Sequence, residues 1–232
     1  MKNLFLFSIC FFVSCATFPY KYYLGNLDSV YTIPRKVVIT PFNFLSNDTT
    51  IQEYEIKLED SIATILKTNG FEVVNSNLAK SSIDTIRESA GGLYDPNTGK
   101  LDTKKTERIT GEVVSKLTAQ FGATCVIFPS IVLVMAKVEN NGVRWHGRYI
   151  PLSGFFNVSG TISAFSLYVQ MYDANGTMVF DNAGGIQAAK RVNAIGQVEE
   201  LSKDHYFQNN QDLSKALNIV FKPFITTVSA IR

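Results

Sequence analysis

Residues Lys36 to Val74 read KVVITPFNFLSNDTTIQEYEIKLEDSIATILKTNGFEVV, and this stretch decides the fold. Its first seven residues, Lys36 to Phe42, form a β-branched run closed at Pro41, which predicts a strand. Between Thr50 and Asn69, residues Ile51, Tyr54, Leu58, Ile62, Ile65 and Leu66 recur at helical spacing. Thr50 with Glu53 three residues later is a capping-box pattern, and Asn69-Gly70 is a stop. Phe71 to Val74 then predicts a short strand. Strand, helix and strand in this order favour parallel pairing through a crossover helix.

Working toward the C-terminus, Leu78 to Ala90 predicts a second helix, and Gly91 to Gly99 a loop on turn chemistry alone. Asp102 is placed to cap a helix over Thr103 to Phe121, with Ile109, Val113, Leu117 and Phe121 as its buried stripe and Gly122 as its end. Ala123 to Val138 is apolar and β-branched, so it predicts a strand, with Pro129 implying a bulge or an edge. It is too short for a membrane span and contains Lys137. Asn140-Asn141-Gly142 turns the chain, and Val143 to Ile150 pairs back as a hairpin. In Thr161 to Tyr172, Phe165, Leu167, Val169 and Met171 alternate with Ser166, Tyr168, Gln170 and Tyr172, the pattern of a half-buried strand. Asp173 to Gly176 is a hairpin turn into Thr177 to Phe180. Gly184-Gly185 reads as a turn. Asp212 to Ile231 reads as a closing helix, kinked or divided at Pro223. The expected fold class is α/β (α+β). It is a single three-layer-like domain over 36–232 with a mixed sheet, an initial βαβ unit, an antiparallel hairpin and flanking helices.

Working toward the N-terminus, Thr17 to Arg35 is aromatic and polar without a clean period and reads as a tether. Before it, Lys2 is followed by an apolar run from Leu4 to Val13, broken by Ser8. One positive charge before a short apolar stretch is the pattern of a secretory signal. The run is shorter than the about 20 apolar residues that a membrane-spanning helix needs. It ends at Phe12-Val13-Ser14-Cys15, and a small residue directly before a cysteine resembles the lipobox of bacterial lipoproteins. The resemblance implies a diacylglyceryl group on the Cys15 sulfur and cleavage between Ser14 and Cys15, which makes 1–14 the signal peptide and 15–35 the lipidated N-terminus and tether. The alternative is ordinary signal cleavage near Ala16. No Asp follows Cys15, and that resembles the outer-membrane default of lipoprotein sorting. Each buried CH₂ contributes roughly 0.8 kcal/mol, so several acyl chains, palmitate among them, hold a protein stably at a membrane.

Formal net charge is +2 over 232 residues, and no basic cluster stands out. That balance argues against a nucleic-acid surface. If Cys15 carries lipid, Cys125 is the one cysteine left after the signal, and its apolar surroundings predict a buried structural thiol. His146 and His205 lack ligand spacing, and no zinc set can be assembled. Asp95 in the Gly91–Leu101 loop lacks the acidic pattern of a calcium loop and reads as an Asx turn. GxSxG, P-loop and dinucleotide patterns are missing from the sequence. No catalytic residue, metal or cofactor is expected.

The segments KVVITPF, LEDSIATILKTNGFEVV, FGATCVIFPSIV and LYVQMYDANGTMVF resemble the α/β domain of several envelope proteins. These are the lipoprotein activators of penicillin-binding proteins, the curli-secretion lipoprotein and the N-terminal domain of the Tol translocation protein. GGLYDPNTGKLD, VRWHGRY and GTISAFSLYVQMYDANG also resemble uncharacterised bacterial lipoproteins of this group. The resemblance implies a lipid anchor, a periplasmic domain and action by protein contact. Arg144, Trp145, His146 and Arg148, with Phe155 and Phe156 nearby, mix aromatics with arginine as partner surfaces do. The competing reading, favoured because large aromatics usually end in cores, packs these aromatics on their own sheet. The expected function is a non-enzymatic binding or scaffold module on the outer membrane, facing the periplasm, with an envelope protein as partner. An oligomeric secretion-channel subunit is the alternative, and a secreted enzyme using His146 or His205 the second.

Overall fold

The computed structural model describes residues 23–24, 35–42, 52–139, 142–152, 159–192, 198–202 and 205–230. In chain order the elements are β1 (Tyr23–Leu24), β2 (Lys36–Ile39), α1 (Gln52–Thr68), β3 (Glu72–Val74), α2 (Ser76–Ser89), α3 (Thr103–Phe121), β4 (Cys125–Glu139), β5 (Gly142–Trp145), β6 (Arg148–Pro151), β7 (Gly160–Asp173), β8 (Met178–Ala188), β9 (Lys190–Val192), β10 (Val198–Glu200) and α4 (Asn210–Ala230). The main sheet has the order β1-β8-β7-β4-β2-β3, with β5 beside β4 and β6 beside β5. The fold is mixed α/β with parallel and antiparallel pairs in one sheet. Described residues group into two compact units, one within Tyr22–Ser130 and Val169–Asp181, the other within Ile131–Tyr168 and Asn182–Arg232.

In the first unit, β2 lies parallel to β3, with Val37 opposite Val73, and parallel to β4, with Val38 opposite Val126. This is the βαβ crossover that the 36–74 pattern predicts. Helix α1 buries Leu58, Ile62 and Leu66 and ends at Gly70, whose φ of +83° only glycine adopts without strain. At the start of α2 the cap residue Asn75 makes no side-chain bond. Glu59 of α1 supplies the acceptor instead, taking the Ser76 N–H at 2.9 Å and the Ser76 hydroxyl at 2.6 Å. Helix α3 is capped by Asp102, which accepts the Lys105 N–H at 3.0 Å, and closes at Gly122 with φ +64°. Val38, Val74, Ile83, Ile109, Val113, Leu117 and Val126 form one cluster here. Each such side chain contributes roughly 1.5–3 kcal/mol on burial. Cys125 is fully buried, as its apolar run predicts. The β2–β4 register ends at Ile39 opposite Ile127, so Pro129 follows the paired stretch and removes no bond from it.

In the second unit, β4, β5 and β6 form an antiparallel meander, with Lys137 opposite Arg144 and Arg144 opposite Tyr149. The sequence pattern treats Val143 to Ile150 as a single returning strand. Instead the chain reverses again at His146-Gly147, where φ values of +32° and +72° give the primed turn that matches strand twist. Gly184-Gly185, expected as a turn, lies inside β8, which runs on from Phe180 to Ala188. The reason is close approach: a Cβ at Gly184 would stand 2.4 Å from the Ala216 carbonyl oxygen, and one at Gly185 2.7 Å from Trp145 Nε1. Helix α4 runs undivided through Pro223. Proline has no N–H for the carbonyl four residues back, that of Ile219. The buried Asn182 side chain serves this stretch, donating from Nδ2 to Val220 O at 2.7 Å and to Ile219 O at 3.4 Å. β1, β9 and β10 have no counterpart in the sequence reading; Tyr23-Leu24, expected in the tether, pairs with Phe180 and Asp181 of β8.

Candidate functional site

The side chains nominated around the second reversal are sorted by the pleat onto opposite faces. Val143 and Trp145 point into a cluster with Ala136, Val138, Ile162 and Ala164. Trp145 is 6% exposed, and its Nε1–H donates to the Phe165 carbonyl at 3.1 Å. As part of a partner surface Trp145 is therefore corrected. An indole whose edge is satisfied by β7 and whose ring sits beside Gly185 faces the interior. Arg148, opposite Trp145 on β6, follows it inward and pairs through Nη2 with Asp212 of α4. Its side chain is 9% exposed, so this ion pair is largely desolvated. Phe155 and Phe156 lie outside the described residues, as do Ser14 and Cys15.

Arg144 points the other way. Its guanidinium carbon stands 4.3 Å from the centroid of the Tyr149 ring, a cation–π arrangement across neighbouring strands. Tyr149 in turn lies over Gly142, where an added Cβ would come 2.0 Å from the ring. Met135 is 55% exposed and Tyr149 43%. Lys137, beside Arg144, pairs with Glu139 along its own strand.

His146 is half-buried at the turn. Its Nδ1 is 2.8 Å from Ser166 Oγ, and burial pushes the imidazole below the usual histidine range. A histidine beside a serine is the opening of a nucleophile–base pair. Here the serine is fully buried, so its hydroxyl has no route to a substrate, and the pair instead ties the strained turn to β7. His205 is exposed on a short turn whose carbonyl receives Gln187 Nε2 at 3.1 Å. Among the described residues no group of three or more His, Cys, Asp or Glu stands close enough to hold a metal ion. Asp95 Oδ1 accepts the N–H groups of Asn97 at 2.7 Å and Thr98 at 3.1 Å, the Asx turn its sequence predicts. Burial, with Asp173 adding to it, pushes the Cys125 thiol up to about 12, so it is no nucleophile.

The sequence reading missed Tyr149, Asp212 and Ser166. The alternation Val143-Arg144-Trp145 could have placed Tyr149 beside Arg144 once the turn at His146-Gly147 was known. Asp212 and Ser166 are tertiary partners without a local signal.

Comparison with known proteins found no matching family model and no matching curated protein. Among solved structures, the chain is similar to lipoprotein GNA1162 from Neisseria meningitidis at a TM-score of 0.35 and 11% identity, covering 84% of this chain and 98% of that one.

Proposed function

We propose that this chain is a lipid-anchored bacterial cell-envelope lipoprotein, a non-enzymatic binding module held at the outer membrane and facing the periplasm. The observation that carries the reading is the apolar run from Leu4 that stops at Ser14-Cys15 behind a single Lys2. Acyl chains on Cys15 supply the membrane attachment, and no helix among the described residues is long and apolar enough to cross a bilayer. Two observations support binding rather than catalysis. The His146–Ser166 contact has its hydroxyl sealed inside the fold, and the outer face of the β4–β5–β6 meander mixes cations with exposed Tyr149 and Met135. An envelope protein taken up on such a surface is the partner class that fits.

Metabolic labelling with a palmitate analogue tests the anchor. The wild-type chain takes up label and loses residues 1–14, so that its mature mass begins at an acylated Cys15. Cys15→Ala abolishes the label and releases the protein from the membrane fraction. Cys125→Ala leaves both unchanged, because that thiol is buried. A mature polypeptide starting beyond Cys15 without acyl mass would overturn the proposal.

A further inference from the structure

The outer face of the β4–β5–β6 meander carries a specific arrangement of charge and exposed apolar surface. Alternation along β4 puts Met135, Lys137 and Glu139 outward, and register puts Arg144 opposite Lys137 and Tyr149 opposite Arg144. Like charges directly opposite on adjacent strands repel, and here two cations occupy such a pair. Lys137 has Glu139 as its partner, whereas Arg144 is held by the Tyr149 ring at 4.3 Å and makes no ion pair among the described residues. Beside them Met135 is 55% and Tyr149 43% exposed, both large for a water-facing sheet position. At the edge of the meander, Tyr149 also lines a hollow with Lys215 and Asn218 of α4. Asp212, the nearby acid of α4, is already taken by Arg148.

The geometry points to this face as a docking surface for an anionic phospholipid bilayer, with Arg144 and Lys137 meeting headgroup phosphates and Tyr149 and Met135 entering the headgroup–acyl boundary. Cations surrounding amphipathic tyrosine match the chemistry of that boundary, where a ring is apolar at its body and wet at its hydroxyl. Charge complementarity selects the lipid: basic residues are drawn to anionic headgroups over distances of a Debye length. A second copy of this chain would instead set Lys137 and Arg144 against their own equivalents. The inference rests on the lipid anchor for bringing the face beside a bilayer, and three basic or aromatic contacts hold the domain down only while it is tethered.

The test places a spin label at position 135 through Met135→Cys. Cys125 is buried and stays unlabelled. Two preparations are compared, the acylated chain in vesicles and the Cys15→Ala chain held by a C-terminal histidine tag on nickel-chelating lipid. Accessibility to a water-soluble paramagnet is read on phosphatidylglycerol and on phosphatidylcholine vesicles. The label at 135 becomes shielded on phosphatidylglycerol and stays accessible on phosphatidylcholine. Neutralising Lys137 and Arg144 to Gln lowers the docked-to-free ratio about 25-fold, about fivefold for each cation. Arg144→Lys, which keeps the charge, retains docking. Shielding in the tagged preparation together with an unacylated native chain would sink the anchor and leave this face standing. Equal shielding on both lipids, shielding in buffer without vesicles, or none in either preparation would each overturn the inference.

Discussion

Replacing Trp145 with alanine should lower the thermal midpoint of the protein by about 6–20 °C, and the size of that fall follows from where the ring sits. The side chain is 6% exposed within a cluster of Ala136, Val138, Val143, Ile162 and Ala164. Truncating a buried tryptophan to alanine costs about 3–5 kcal/mol, through lost transfer energy and the cavity left behind. The Phe165 carbonyl also loses the indole N–H that reaches it at 3.1 Å, a further reason to expect the upper part of that range. For a chain of this length each kcal/mol moves the midpoint by about 2–4 °C. Trp145→Phe keeps most of the ring and removes only the hydrogen bond, so its fall is smaller, about 1–3 kcal/mol. Circular dichroism melts of the three proteins give these numbers. Trp145 is the sole tryptophan of the sequence, so its fluorescence reports on the same point. Emission is blue-shifted in the folded protein, iodide fails to quench it, and both properties disappear in urea. A Trp145→Ala midpoint within about 2 °C of wild type, against the 6–20 °C expected from burial, would refute the packing argument and restore the ring to the surface.

Three further outcomes follow from the second unit. Asn182→Ala strands the Ile219 carbonyl, which Pro223 leaves without a backbone donor, and costs about 1–3 kcal/mol in urea denaturation, whereas in a Pro223→Ala background the same change costs less, because Ile219 then regains that donor. Arg148→Ala leaves Asp212 buried without its partner and costs about 3–5 kcal/mol, while Arg148→Met combined with Asp212→Leu recovers most of it; a double replacement as damaging as the single one counts against desolvation as the cause. His146 has a lowered folded pKa, so the unfolded chain binds its proton more readily, and stability present above the ordinary value of 6.5 is lost as pH falls below it. Melts between pH 7.5 and 5 show this slope, and His146→Asn, which the turn accepts, flattens it.

The parts of the fold legible in the sequence are those whose cause lies within a few residues. Asp102 caps α3 because its carboxylate reaches Lys105 N–H, and Gly122 ends the same helix because only the left-handed region closes it cheaply. Asp173 to Gly176 turns β7 into β8 with Asp173 Oδ1 accepting Asn175 N–H at 2.9 Å. What escaped is set by distant partners. Gly184 is a glycine because of Ala216, Asn182 is buried because of Pro223, and Ser76 needs no cap of its own because of Glu59. None of these leaves a mark near its own position, so a glycine pair reads as a turn.

The candidate surface illustrates a different limit. Arg144, Trp145, His146 and Arg148 are neighbours in sequence and chemically suited to a partner. A strand sends alternate residues to opposite faces, so neighbours are the residues least able to act together. The period-2 pattern Val143-Arg144-Trp145 already separates the inward pair from the outward arginine. The primed turn then sets the phase of β6, carrying Arg148 in toward Asp212 and Tyr149 out beside Arg144. The turn carries no sequence signal because histidine rarely takes its first central position; here the Ser166 contact holds a φ of +32° that an isolated hairpin would give to asparagine or glycine. The outward face is thus composed across strands: Arg144 keeps its place on it, Trp145 and Arg148 leave it for the interior, and Lys137 and Met135 stand on it from β4. A binding surface on a meander is legible only after every reversal is placed, since one unread turn exchanges the two faces of all that follows.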